Sequence, residues 1–274
     1  MNIAIIGFGK MGRLIEAMAL EKKHKIVSVV DPYAIDLLSN SGRTIFRTLK
    51  DAAQHDTAQG PNQNALEEGL NNADIAIEFT RPETAVENIK GLAALHIPMV
   101  IGTTGWYNRL PEITQVVNDA GVPLVWSSNY SIGVNLFFRI AAYAARLMDG
   151  FDEYDVGALE SHHNKKIDSP SGTAKILLEH VLGQMTRKEN AVYGDTETPL
   201  NGKDIHCASL RVGAMPGIHS LFFDSPADTI EITHTARNRE GLAAGAIHAA
   251  EWLLAEKRSG VFTIDDVLAG LTAG

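Results

Sequence analysis

Residues 2–12, "NIAIIGFGKMG", decide the fold. Asn2 to Ile6 is a short apolar run that reads as a buried strand. It passes directly into Gly7-Phe8-Gly9-Lys10-Met11-Gly12, a G-x-G-x-x-G spacing. The next residues, "RLIEAMALEKKHK", place apolar side chains at helical intervals. "KIVSVVD" then reads as a second strand ending on Asp31, close to the ~20-residue spacing expected between such glycines and an acid. The glycine spacing alone also fits an ordinary strand-to-helix turn. Strand, glycine turn, helix, strand and acid in this order describe a unit that cradles a dinucleotide. Glycine lets the backbone approach a pyrophosphate, and the helix start offers unpaired N–H groups and a partial positive charge. The acid accepts hydrogen bonds from the adenosine ribose. Gly7, Gly9, Lys10, Met11, Gly12 and Asp31 are therefore candidate cofactor contacts. A carboxylate at Asp31 repels a 2′-phosphate and Pro32 adds no cation. This favours NADH over NADPH, with Arg43 and Arg47 the cations within reach.

Outward from this unit the alternation continues. "ADIAIEFT", "PMVIGTTG" and "VPLVWSSN" read as strands, separated by the helical patterns "PETAVENIKGLAALH" and "LPEITQVVNDAG". Alternating strands and helices predict a parallel sheet covered on both faces. The strand ends carry Phe79, Thr80, Gly102, Thr103 and Thr104 to the carboxyl edge, where open α/β sheets bind ligands. From Pro32 to Asn72 the chain is polar and turn-rich, so short irregular structure is expected there, with a helix near Ala65–Leu70.

Beyond Asn129 the pattern changes. A long apolar helix, "GVNLFFRIAAYAARLMDG", precedes a strand, "YDVGALES", and a helix, "TAKILLEHVLGQM". "DIHCASLRVG", "IHSLFFD" and "TIEITHTA" then follow as strands without intervening helices, which predicts an antiparallel or mixed sheet and a second domain. The closing helix, "REGLAAGAIHAAEWLLAEK", is free to pack back on the first domain. The expected boundaries are 1–130 with 240–274 for the dinucleotide-binding domain and 131–239 for the other.

The 274 residues, 45% of them hydrophobic, suffice for such a core, and the formal charge of −9 disfavours nonspecific nucleic-acid binding. The single cysteine, Cys207, excludes an intrachain disulfide and reads as a small core residue. No Cys/His spacing resembles a zinc site, so no metal is expected. The apolar N-terminus is too short to span a membrane and lacks a signal-peptide pattern. A soluble cytoplasmic protein is the expectation.

The densest chemistry lies in "ESHHNKKIDSPSGTA", residues 160–174. The strand before it delivers His162 and His163, whose side chains point to opposite faces while the backbone stays extended. Histidine gives or takes a proton near neutrality. Lys166, four residues after His162, brings a cation to the same place, whereas Lys165 faces solvent. Ser171 or Thr173 caps the helix that follows, whose first-turn N–H groups form an anion site. A carboxylate substrate would meet a helix start, a lysine and a proton carrier. A capped helix behind a solvated charged loop is the plainer alternative.

With these residues in view, the chain resembles the dihydrodipicolinate reductase family of bacterial diaminopimelate and lysine synthesis. "HHNKKIDSPSGTA" matches the family pattern HHxxKxDxPSGTA throughout. "EFTRPE", "VIGTTGW", "SSNYSIGVN" and "ITHTARNR" resemble family landmarks in the family's order. The resemblance implies a Rossmann-type domain completed by the C-terminal helix, plus a smaller α+β domain whose mixed sheet builds a homotetramer. It implies His162 as general acid/base, and His163 and Lys166 as substrate contacts, with Lys166 a second proton donor. Gly172 and Thr173 would hold a substrate carboxylate. Arg239 resembles an arginine near the domain junction, and Ser127, Ser128, Asn129 and Tyr130 would border the nicotinamide. Gly7-Phe8-Gly9, Lys10 and Asp31-Pro32 depart from the frequent family spellings, which bears on cofactor preference and not on the reaction. The implied activity is NAD(P)H-dependent reduction of 4-hydroxy-tetrahydrodipicolinate, a small dicarboxylate, to tetrahydrodipicolinate with loss of water. Two rival readings are another two-domain NAD(P)-dependent dehydrogenase, acting on aspartate or a sugar, and a nonenzymatic NAD(H)-binding protein. Neither needs the HHxxKxDxPSGTA pattern.

Overall fold

A computed structural model describes residues 1–34, 44–51 and 70–272. In chain order the first elements are β1 (Asn2–Ile6), α1 (Lys10–Glu21), β2 (Lys25–Val30), β3 (Thr44–Phe46), β4 (Ile75–Glu78), α2 (Pro82–Ala94), β5 (Met99–Ile101), α3 (Leu110–Ala120) and β6 (Pro123–Trp126). Next come α4 (Ile132–Met148), β7 (Asp155–His162), α5 (Gly172–Leu182), β8 (Asn190–Tyr193), β9 (Asp204–Arg211), β10 (Ile218–Asp224) and β11 (Thr229–Thr235). The chain closes with α6 (Glu240–Ala255), β12 (Gly260–Thr263) and α7 (Ile264–Thr272). It divides into two compact units, Met1–Ser131 with Glu240–Gly274, and Ile132–Arg239.

The first unit holds a seven-stranded parallel sheet in the order β12-β6-β5-β4-β1-β2-β3. Its central strands are mostly apolar because helices cover both faces, with Ser28 in β2 and Glu78 at the end of β4 as buried polar exceptions. On one face Ile6, Ala76, Met99 and Leu124 pack with Ile89, Leu92, Ile113 and Val117. Elsewhere in the core Ile3, Ile5, Ile15, Ala243 and Ala246 are fully buried, and α6 lies beside α1. Successive strands build away from β1 in one direction through β2 and β3, and in the other through β4 to β6. The strand order therefore reverses between β1 and β4, the point where such sheets open a crevice at their carboxyl ends.

The second unit is a mixed five-stranded sheet, β11-β10-β7-β9-β8. β10 pairs antiparallel with both β7 and β11, while β7, β9 and β8 run parallel. One face is covered by α4 and α5: Phe137, Phe138, Leu177 and Leu178 bury Val156, Ala158, Cys207, Leu221 and Phe223. Burial pushes the Cys207 thiol up to about 11, so it is an inert core group.

The fold class is as expected: a Rossmann-type parallel sheet and a second, mixed-sheet unit. Four elements were not foreseen. β3, β8 and β12 are three or four residues each, too short to show a period, and α7 follows the last expected helix. Strand β2 ends at Val30, leaving Asp31 just beyond it. The helix expected near Ala65–Leu70 lies outside the described residues except for Leu70, which starts a 3₁₀ turn. Arg43 lies outside them too. No helix among the described residues is long and apolar enough to cross a membrane.

Candidate active site

The crevice of the first unit is built from backbone. Gly7 sits at φ +91°, and a Cβ there would lie 2.2 Å from the Phe79 carbonyl oxygen, so only glycine permits β1 and β4 to turn side by side. A Cβ on Gly12 would fall 2.2 Å from the Gly7 carbonyl, which is how closely α1 packs on the loop. Over Gly9 nothing lies within 4 Å, and no side chain caps α1 there. The first-turn N–H groups thus face open space, which fits a diphosphate. A cavity of about 430 Å³ brings together Gly9, Lys10, Met11, Phe79, Thr80, Gly102, Thr103 and Thr104, all of them expected. An adjoining cavity of about 580 Å³ is lined by Gly7, Asp31, Tyr33, Arg47 and Arg81.

Asp31 does more than the sequence implied. Its Oδ2 accepts from Phe8 N and its Oδ1 from Tyr33 N, both at 2.7 Å, so it ties the glycine loop to the segment after β2. Under the crevice lies Glu78, fully buried. Burial pushes its carboxyl up, against bonds from Thr80, Thr103 and Asn88. Ser127 and Asn129 close a turn on themselves after β6, and Ser128 is exposed. Tyr130 is buried, and its hydroxyl donates toward the carbonyls of Ile101 and Val125. Its side chain is a structural pin, so only its backbone remains for a ligand.

In the second unit, strand register assembles a polar cluster at the end of the helix-covered sheet face. Glu160 pairs across with Ser209 and His219, and His162 with Arg211. Alternation puts Glu160 and His162 on one face, and His162 Nδ1 is hydrogen-bonded to Glu160 Oε2. The other carboxylate oxygen is 2.6 Å from Arg211 Nη2 and accepts from Ser171 N at 3.3 Å. Ser171, not Thr173, caps α5: its Oγ accepts from Ala174 N at 3.1 Å and lies 3.1 Å from His219 Nε2. The His162 and His219 rings meet edge to face, 5.2 Å apart. Glu160, His162, Ser171 and His219 are all buried. Burial tends to raise Glu160, but Arg211, Ser209 and His162 outweigh it and hold the carboxyl below its ordinary range. Burial lowers His162 against the pull of Glu160, and lowers His219 to about 4.

Lys166 Nζ is 2.8 Å from the Asp168 carboxylate, and its charge reaches both His162 and His219. The backbone N of His163 donates to Met215 O at 2.8 Å, and the residue is half-buried. Lys165 and Gly172 are exposed and Thr173 is half-buried. Arg239 is exposed at the end of the unit. Glu160, His162 and His219 each bring one ligand atom within 4.8 Å of the others, a spacing a cation could use, although Arg211 already holds the carboxylate.

Two family descriptions match the chain: "Dihydrodipicolinate reductase, N-terminus" over residues 1–130 and "Dihydrodipicolinate reductase, C-terminus" over residues 133–268. The chain belongs to the dihydrodipicolinate reductase family. It is 35% identical over 274 residues to the 4-hydroxy-tetrahydrodipicolinate reductase of Christiangramia forsetii, covering 99% of each chain. It is 33% identical to the Archaeoglobus fulgidus reductase, covering 98% of this chain and all of that one. Among solved structures, dipicolinate-bound dihydrodipicolinate reductase from Paenisporosarcina sp. TG-14 superposes with a TM-score of 0.73 at 21% identity, over 96% of this chain and 97% of that one. The last likeness is one of fold.

For this family member, sequence reasoning singled out His162 and overlooked its surroundings. Glu160 stood in the quoted motif without a role, although its place two residues before His162 on a strand was a readable signal. Arg211 and His219 come from other strands and carried no local signal at all.

Proposed function

We propose that this chain reduces 4-hydroxy-tetrahydrodipicolinate to tetrahydrodipicolinate with NAD(P)H and loss of water, a step of diaminopimelate and lysine synthesis. The observation that carries the reading is the buried His162, bonded to Glu160 beside the start of α5. Family membership over both halves supports it. Bound nicotinamide supplies the hydride. The bare start of α1 and the open space over Gly9 take the diphosphate, and Asp31 takes the ribose. In the second unit Gly172 N–H, the Thr173 hydroxyl and His163 hold the substrate carboxylates, and Arg239 adds a cation. His162 delivers the proton that balances the hydride, with Lys166 as the second candidate. One hydride and one proton enter, and one water leaves.

Asp31 favours NADH as the reductant, while Arg47 on the same cavity wall gives a 2′-phosphate a partner. The protein works in the cytoplasm as a homotetramer formed on the uncovered sheet face, which carries Leu159, Leu210 and Phe222. Leu159 and Leu210 are exposed there, and light scattering on the purified chain reads the mass.

The deciding assay follows NADH and NADPH absorbance with substrate generated in situ from pyruvate and aspartate semialdehyde. Rapid oxidation, abolished in His162→Ala, is expected. A folded chain that binds NADH and oxidises none would end the reading, and the two rates rank the reductants.

A further inference from the structure

We infer that Glu160, clamped by Arg211, is a positioning residue that sets the tautomer of His162, so that Nε2 is the atom that hands over the proton. This deepens the reading above and rests on it. Glu160 and His162 are i and i+2 on β7, so their side chains emerge on one face and meet. The carboxylate cannot swing away. Arg211 Nη2 holds Oε1 at 2.6 Å and itself donates to the Asp168 carbonyl at 2.8 Å, while Ser171 N approaches the same Oε1 at 3.3 Å.

A carboxylate fixed in this way accepts only from an N–H, so neutral His162 carries its proton on Nδ1. Imidazole that bonds a carboxylate through one nitrogen presents the other as the basic, proton-transferring atom. Here the other nitrogen lies against Gly217, whose Cβ, were there one, would sit 3.0 Å from Nε2. The missing side chain keeps Nε2 clear. When Nε2 is protonated, Glu160 stabilises the imidazolium. When Nε2 gives its proton to the substrate, as the hydroxyl leaves as water and hydride arrives from NAD(P)H, His162 returns to the Nδ1–H form without rotating. The charged and titratable groups around this pair are Arg211 and Cys207 from β9, His219 from β10, His234 from β11, and Lys166 and Asp168 from the loop after β7. Lys166 and Arg211 act against His162 protonation, and Glu160 is the counterweight.

Two measurements test the role. Long-range ¹H–¹⁵N correlation of the wild-type histidines reads the tautomer without any turnover, so it stands apart from the reductase assignment. An Nδ1–H, Nε2-bare signal for His162, identified by its loss in His162→Ala, is expected. The Nε2–H form, the commoner one in water, would overturn the inference. The second measurement is kcat against pH for Glu160→Gln and Glu160→Asp. Glu160→Gln should lose about 10–100-fold in kcat at neutral pH. Its His162 limb should move to lower pH by about one unit, and KM should stay within about threefold. Glu160→Asp should recover part of the rate. A Glu160→Gln enzyme with wild-type kcat and an unmoved limb would also overturn it. If Glu160→Gln does not fold, the tautomer measurement still decides.

Discussion

The two helices that open onto the candidate binding regions begin in opposite ways. Helix α1 starts at Gly9 with no side-chain cap and open space above it. Helix α5 starts at Ser171, whose hydroxyl closes the cap and touches His219, in a setting of buried titratable groups. A diphosphate needs donors and room, and bare backbone supplies both. A substrate that must receive a proton needs side chains held at a set distance from one another, and these cost burial of polar groups that must then be paired. The first kind of site follows from a local spelling of glycines. The second follows from the register of three strands.

The comparison makes its largest claim at His162. Truncation to alanine should lower kcat by about 10²–10⁴-fold while the NADH dissociation constant, read by fluorescence titration, changes less than about threefold. Comparable losses in both would mean the two regions do not divide the work as argued.

The polar cluster should also show in acid stability. His219 is buried and its proton affinity is pushed down to about 4 by that burial. Between pH 6.5 and 4 the unfolded chain binds a proton at this residue and the folded chain does not. Its contribution to stability is therefore complete above pH 6.5 and is lost as pH falls through that window, by about 3 kcal/mol in all. His219→Gln keeps a hydrogen-bonding group for Ser171 and does not titrate. Denaturant melts at stepped pH should give a shallower acid decline for this variant than for the wild type. Equal slopes would mean His219 is not held neutral.

How much of this was legible beforehand follows from the same contrast. The βαβ start, the alternation up to β6 and the switch to a mixed sheet were all carried by local period and turn residues. Eight expected residues share one cavity because they all lie on the turns, or in the first helical turn, that follow carboxyl ends of parallel strands, a rule of topology that needs no coordinates. The motif around His162 was readable as chemistry. Its partners were not: Arg211 is 49 positions beyond His162 and His219 is 57 beyond, brought in only by pairing of β9 and β10 with β7. Tyr130 shows the converse. It stands in a landmark stretch, yet its ring is buried and its hydroxyl is spent on backbone carbonyls.

Ser171→Ala sharpens the comparison from the capped side. It removes a cap worth about 1 kcal/mol and leaves His219 Nε2 without its partner, which adds about as much again. A loss near 2 kcal/mol in urea melts is expected, with NADH binding unchanged. A loss below about 0.5 kcal/mol would show that the hydroxyl is not needed to hold the cluster.

Gly9→Ala tests the bare side, where the expected effect is smallest. The new methyl meets nothing within 4 Å, and Gly9 already has φ −74°, so the backbone accepts alanine without strain. Stability should change by less than about 1 kcal/mol, the scale of replacing a glycine cap. The methyl does, however, stand where a diphosphate must approach the loop. The NADH dissociation constant should rise about tenfold, equivalent to about 1.4 kcal/mol, with kcat at saturating NADH nearly unchanged. Gly12→Ala is the control, because its methyl would fall 2.2 Å from the Gly7 carbonyl and must cost stability first. If Gly9→Ala binds NADH as the wild type does, the open space above the loop is not where the cofactor lies, and the diphosphate must be sought along the neighbouring wall of Thr80 and Thr104.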